Sequence, residues 1–84
     1  MKRRNHRMKE KILKILLELD DEIANVGEED DLIEAGFIDS FAVVSLVDDL
    51  ETEFSIVMEP EEIIEANFSS IASICALVES KLKA

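Results

Sequence analysis

The chain has 84 residues, nearly half of them hydrophobic, which suits one small domain with its own core and leaves no room for a second. Twenty acids against nine Lys and Arg give a formal charge of −11, and the single cysteine, Cys75, excludes an internal disulfide. Seven of the nine basic residues lie in residues 1–14 beside one acid, a local charge of +6, whereas residues 15–84 carry two lysines against nineteen acids, or −17. Such a body repels phosphate backbones, which argues against nucleic-acid binding, and attracts basic protein surfaces. Acidity that merely keeps a small protein soluble is the plainer explanation, but it does not account for the lack of any Lys or Arg between Lys14 and Lys81. No apolar run is long enough to span a membrane. The basic start is not followed by the apolar stretch and small-residue cleavage site of a signal peptide, so the cytoplasm is the expected compartment.

In chain order, residues 1–7 read as a flexible basic leader, including His6, because cations at a helix N-terminus oppose its dipole. Helix 1 is predicted from about Met8 to Leu19, with Met8, Ile12, Ile15, Leu16 and Leu19 as its apolar stripe and Leu13 and Leu17 widening it. Residues 20–39 form a long acidic connection pinned by Ile23, Val26, Leu32, Ile33, Phe37 and Ile38. No window there has the alternating oxygen ligands, central glycine and terminal Glu of a calcium-binding loop.

Helix 2 is predicted from Ser40 to about Phe54, with Val43, Leu46, Val47, Leu50 and Phe54 on one face. Phe41 is apolar but lies off that stripe; it either packs under the loop or helps present Ser40. Ser55 to Glu59 is an extended link with Ile56 and Met58 turned inward. Pro60 opens a short third helix to about Glu65, with Ile63, Ile64 and Ala66 able to pack. Ser69 or Ser70 caps a last helix to about Leu82, whose stripe is Ile71, Ile74, Cys75, Val78 and Leu82 and whose C-terminal turn gains from Lys81 and Lys83.

The segment from Asp31 to Phe41 organises the rest. Gly36 permits a turn that a Cβ would resist, and Asp39 is a good N-cap, which makes Ser40 the first residue of helix 2. Its hydroxyl then lies at the positive end of the helix dipole, where an attached phosphate is favoured. Ser40 has no machinery to act as a nucleophile itself. A serine nucleophile needs a base, and the only histidine is His6, in the leader. One His and one Cys far apart fall short of a zinc site, and Cys75 on an apolar stripe reads as a buried, inert thiol. No catalytic residues and no metal site are assigned. The pattern fits a substrate of other enzymes better than an enzyme.

Leu32-x-x-x-Gly36-x-x-Asp39-Ser40-Phe41, at mid-chain of an acidic sequence and followed by an acidic helix and two more helices, resembles the acyl carrier protein family over about residues 8–83. The resemblance implies an all-α fold, a small four-helix bundle with a long loop between helices 1 and 2 and a short third helix, so that residues 8–84 form one carrier domain. It implies a 4′-phosphopantetheine arm, moved from coenzyme A onto Ser40 by a separate magnesium-dependent phosphopantetheinyl transferase, with Asp39 part of the same motif. The arm's thiol would hold an acyl or aminoacyl group as a thioester, loaded by an adenylating ligase or an acyltransferase and collected by downstream enzymes. The bundle itself would catalyse nothing and would work as a monomer. Family partners meet the start and outer face of the helix after the serine, which here offers Phe41, Asp48, Glu51 and Thr52.

Two departures refine the comparison. Ser45 stands where carriers of fatty-acid synthesis often have an acid. Those carriers usually show Gly-x-Asp-Ser, whereas Gly36-Phe37-Ile38-Asp39-Ser40 is one residue longer, and the longer form with Phe after Ser is similar to D-alanyl carriers and to stand-alone carriers of specialised pathways. D-alanyl carriers commonly continue Gly-Thr, and here Ala42-Val43 follows. A stand-alone carrier of unassigned cargo therefore ranks ahead of a D-alanyl carrier serving teichoic-acid D-alanylation, and that ahead of a fatty-acid carrier. An unmodified acidic adaptor for basic proteins is the reading from a different class.

Overall fold

Helix α1 spans Lys2–Leu19 in the computed structural model, which describes residues 2–83, with side chains from residue 7. Its core stripe is Met8, Ile12 and Leu16, with Leu13, Ile15, Leu17 and Leu19 packed half-buried beside it. Leu13 and Leu17 thus widen the buried face as expected. The start at Lys2 corrects the expected start at Met8. Lys and Arg are good helix formers, no Gly or Pro interrupts the segment, and an unfavourable charge at an exposed helix end costs only about 0.3–1 kcal/mol. Met1 and the side chain of His6 lie outside the described residues.

The acidic connection is ordered by its own aspartates. Asp20 Oδ1 accepts the Glu22 N–H at 3.0 Å and caps a 3₁₀ turn, Asp21–Asn25, that buries Ile23. Asp30 Oδ2 accepts the Gly27 N–H at 2.8 Å. A Cβ on Gly27 would lie 3.2 Å from that oxygen, so any larger residue there would make the carboxylate give by a few tenths of an ångström. The connection is tied to the far side of the fold by the Ala72 N–H, which donates to the Glu28 carbonyl at 3.0 Å, and by the Leu32 N–H, which donates to the Ser69 carbonyl at 2.6 Å. Lys9 pairs with Glu28, and Lys11 reaches Glu53 at 3.5 Å. Lys9 and Lys11 of α1 therefore answer an acid of the loop and an acid of the helix that follows.

Helix α2 runs Ser40–Phe54 as expected, burying Leu46, Val47 and Leu50 with Val43 and Phe54 half-buried beside them. It ends at Ser55, which adopts the left-handed conformation at φ 54°. Met58 is buried and Ile56 half-buried, so the link points both inward. The expected third helix, Pro60–Glu65, is replaced by two pieces. Pro60–Glu62 is a 3₁₀ turn in which the Glu59 N–H donates to Glu62 Oε1 at 2.8 Å. The backbone leaves helical geometry at Ile63 and Ile64, both β-branched, and a short α3 follows at Glu65–Phe68. Asn67 and Phe68, beyond the expected end at Glu65, belong to it. Ile63, Ile64 and Ala66 are exposed rather than packed, and Phe68, with no solvent exposure, fills the core instead.

Helix α4 spans Ile71–Lys83. Ser70 is its cap: its hydroxyl oxygen accepts the Ser73 N–H at 3.1 Å while the hydroxyl donates to Ser73 Oγ at 2.9 Å. Ile71, Ile74, Leu77 and Val78 are buried and Cys75 half-buried. Leu82, expected in the stripe, is 47% exposed. Position 81 continues the face instead. The Lys81 side chain, 17% exposed, lays its stem there and donates to Glu62 Oε1 at 2.9 Å. Helix α1 packs on α4, α2 and the Asp21–Asn25 turn, and α3 packs on α4. Fifteen buried apolar residues from all of these parts form one core, and there is no strand among the described residues. The fold is an all-α four-helix bundle with a long loop after α1 and a short third helix.

Candidate functional site

Asp31 begins the construction that ends at Ser40. Its Oδ1 accepts the N–H groups of Ile33 at 3.0 Å and Glu34 at 2.9 Å, the bonding of an N-cap. One turn follows, closed by the Ala35 N–H on the Asp31 carbonyl at 3.1 Å. Gly36, at φ 88°, then ends it. The Gly36 N–H donates to the Ile33 carbonyl at 3.1 Å and the Phe37 N–H to the Leu32 carbonyl at 2.9 Å, the paired bonds of a Schellman C-cap. Residues 32–35 are therefore a single helical turn capped at both ends, and the spacing from Leu32 to Gly36 is the length of that turn. The Leu32 carbonyl also accepts the Ile38 N–H at 3.2 Å, while the side chains of Leu32 and Ile38 are sealed in the core.

Asp39 stands next, extended at φ −116° and ψ −172°. Its Oδ1 accepts the Ala42 N–H at 2.9 Å and its carbonyl the Val43 N–H at 2.9 Å, so α2 starts at Ser40. Ser40 is exposed. The amides at a helix start lack intrahelical acceptors, and with Ala42 served by Asp39, those of Ser40 and Phe41 remain for solvent or a ligand. An exposed hydroxyl in that position can accept a bulky group without disturbing the core, and an anion beside it is favoured by the helix dipole.

The other predicted site residues separate into two kinds. Phe41 is 85% exposed, so it does not pack under the loop. Asp48 and Thr52 are exposed further along α2. Glu51 is half-buried, and its Oε2 accepts the Met58 N–H at 2.8 Å, holding the link after α2. Val44, 67% exposed and three residues from Phe41 on the same side of the helix, was not singled out from sequence. Its signal was an apolar residue falling off the buried stripe. Cys75 lies elsewhere, on α4. Burial pushes its thiol above the ordinary value, Lys9 opposes that shift, and Glu79 adds to it.

Residues 10–78 match the family model described as the phosphopantetheine attachment site. The chain belongs to that family, the one that includes the acyl carrier proteins. Among curated proteins no match was found. Membership makes this a carrier whose cofactor is covalently attached 4′-phosphopantetheine. Carrier domains of this family are generally non-catalytic and are served by modifying and acyl-handling enzymes. No helix among the described residues is long and apolar enough to cross a membrane.

Proposed function

We propose that Ser40 is the attachment point of the phosphopantetheine arm, and that residues 8–84 work as a cytoplasmic carrier of acyl or aminoacyl groups. The carrying observation is an exposed serine at the first position of a helix whose cap, Asp39, is already committed to the Ala42 amide. The hydroxyl stands clear of the core, and a phosphodiester formed there meets the positive end of α2. When bound, the arm supplies a thiol that holds a carboxylic acid as a thioester. The protein contributes presentation rather than catalysis. Asp39, the carboxylate next to Ser40 in sequence, is engaged as a cap and is not placed as a free base.

The surface offered to partners is the start and outer side of α2. Phe41 and Val44 make an apolar step beside Ser40, with Asp48 and Thr52 beyond it. A transferase, a loading ligase or acyltransferase, and the accepting enzymes must all approach Ser40 and so must cover Phe41. Glu51 contributes its charge to this face but spends its hydrogen bond on Met58. The Gly36-to-Phe41 spacing keeps a D-alanyl cargo as the second reading. The test is incubation with coenzyme A, magnesium and a broad-specificity phosphopantetheinyl transferase, read by intact mass. Wild type gains one arm and Ser40→Ala gains none. No adduct on wild type, or an adduct that survives Ser40→Ala, refutes the assignment.

A further inference from the structure

We propose that Asp31 is a positioning residue for Ser40, acting through the doubly capped turn; this rests on the assignment of Ser40 as the attachment serine. Asp31 is nine residues from Ser40 and is indistinguishable by charge from the other acids of its loop. Its carboxylate has a distinct task. It fixes the first two free amides of the 32–35 turn, those of Ile33 and Glu34. That turn presents the Leu32 carbonyl to two amides at once, Phe37 and Ile38. Ile38 is buried and directly precedes the cap Asp39, so the Leu32 carbonyl sets where α2 begins. The turn is in turn referenced to the rest of the fold by the Leu32 amide on the Ser69 carbonyl. Every residue from Asp31 to Asp39 is thus held by a backbone bond, a cap or burial, with Asp31 at the head of the series.

A transferase needs the serine within reach in one arrangement, and a turn that opens part of the time lowers the competent population. That raises the apparent KM by the inverse of the competent fraction and leaves kcat unchanged. Removing a cap shifts a local opening equilibrium roughly fivefold. Asp31→Ala should therefore raise the population of the open turn roughly fivefold and raise the KM for the carrier in phosphopantetheinyl transfer, at unchanged kcat, by a smaller factor that approaches about five only if the wild-type turn is already mostly open. Asp31→Asn keeps an oxygen acceptor and remains a good N-cap, so it should restore the wild-type KM.

Amide hydrogen exchange on the unmodified protein supplies an independent reading. In Asp31→Ala, exchange should quicken at Ile33 and Glu34 and also at Phe37, Ile38 and Ala42, while α4 amides stay at wild-type rates. Wild-type KM and exchange in Asp31→Ala overturn the proposal. So does an Asp31→Asn protein with restored exchange but a raised KM, which would make Asp31 a direct charge contact with the transferase. If wild type takes no arm at all, the assignment of Ser40 falls, and the exchange at Phe37, Ile38 and Ala42 still decides whether Asp31 positions the start of α2.

Discussion

Glu51 tests how surface acidity divides between docking and architecture. It lies on α2 among residues proposed to face partners, yet its Oε2 takes the Met58 N–H at 2.8 Å in a half-buried setting. Met58 is itself in the core, so the amide cannot turn to solvent without moving a buried side chain. Glu51→Ala leaves that donor without an acceptor, at a cost of about 1–3 kcal/mol. For a domain of this size each kcal/mol lowers Tm by roughly 4–8 °C. Deleting one acid from a body of charge −17 relieves repulsion and acts the other way, so Glu51→Gln is the needed comparison: it loses the charge and keeps an oxygen for Met58. Circular dichroism at 222 nm during thermal and urea unfolding should show Glu51→Ala clearly destabilised and Glu51→Gln close to wild type. Equal stability of all three proteins would refute the reasoning and return Glu51 to the docking face alone.

Gly36→Ala should cost about 1–2 kcal/mol in urea unfolding, the strain of a Cβ at positive φ; nothing lies within 4 Å of that Cβ, so a larger loss would mean the strain argument is incomplete. Glu62 is held below the usual carboxylate range, first by the Glu59 amide and then by Lys81. The unfolded chain therefore takes up its proton more readily than the folded one, and the resulting stabilisation is present above the ordinary carboxylate pKa and lost as the pH falls through the lower folded value. The stability difference between wild type and Glu62→Gln, measured by urea midpoint, should accordingly shrink between pH 7 and pH 3. In the arm-bearing protein, thiol titration at pH 8 should resolve one fast thiol on the arm and one slow thiol at Cys75, whose pKa is raised by burial; two equally fast thiols would contradict that burial.

Much of this fold is legible because its signals are local. The cap Asp39, the stripe from Val43 to Phe54 and the absence of any breaker between them mark both ends of α2. The placement of Ser40 at the first position of α2 is legible for the same reason. What the sequence conceals depends on contacts across the chain. Pro60-Glu-Glu reads as the start of a helix anywhere, and the turn stops at Ile63 while Phe68, not Ile63 or Ile64, takes the core position. Leu82 fits the apolar period of α4, but Lys81 occupies the inward position because Glu62, nineteen residues away, is there to meet it. Asp31 reads as one acid of the loop and Glu51 as part of the outer face of α2, when what distinguishes them is the backbone amides they accept, those of Ile33 and Glu34 for Asp31 and that of Met58 for Glu51.

The extra residue between Gly36 and Asp39 acquires a physical meaning from the same bonds. With one residue in that gap, a single amide would have to complete the C-cap and also carry the anchor into the core. With two, the tasks separate: the Phe37 amide completes the cap, and Ile38 drives a buried side chain beneath the start of α2 while bonding the same carbonyl. Order is imposed up to Asp39 and then stops, since Ser40, Phe41 and Val44 are left uncovered. A rigid approach followed by an open apolar step is what a carrier needs if many enzymes must find one serine in one place. Under the proposed function, discrimination among those enzymes would fall to the few exposed side chains of α2, where this chain has Phe41, Val44 and Ser45 in its first two turns and no acid before Asp48.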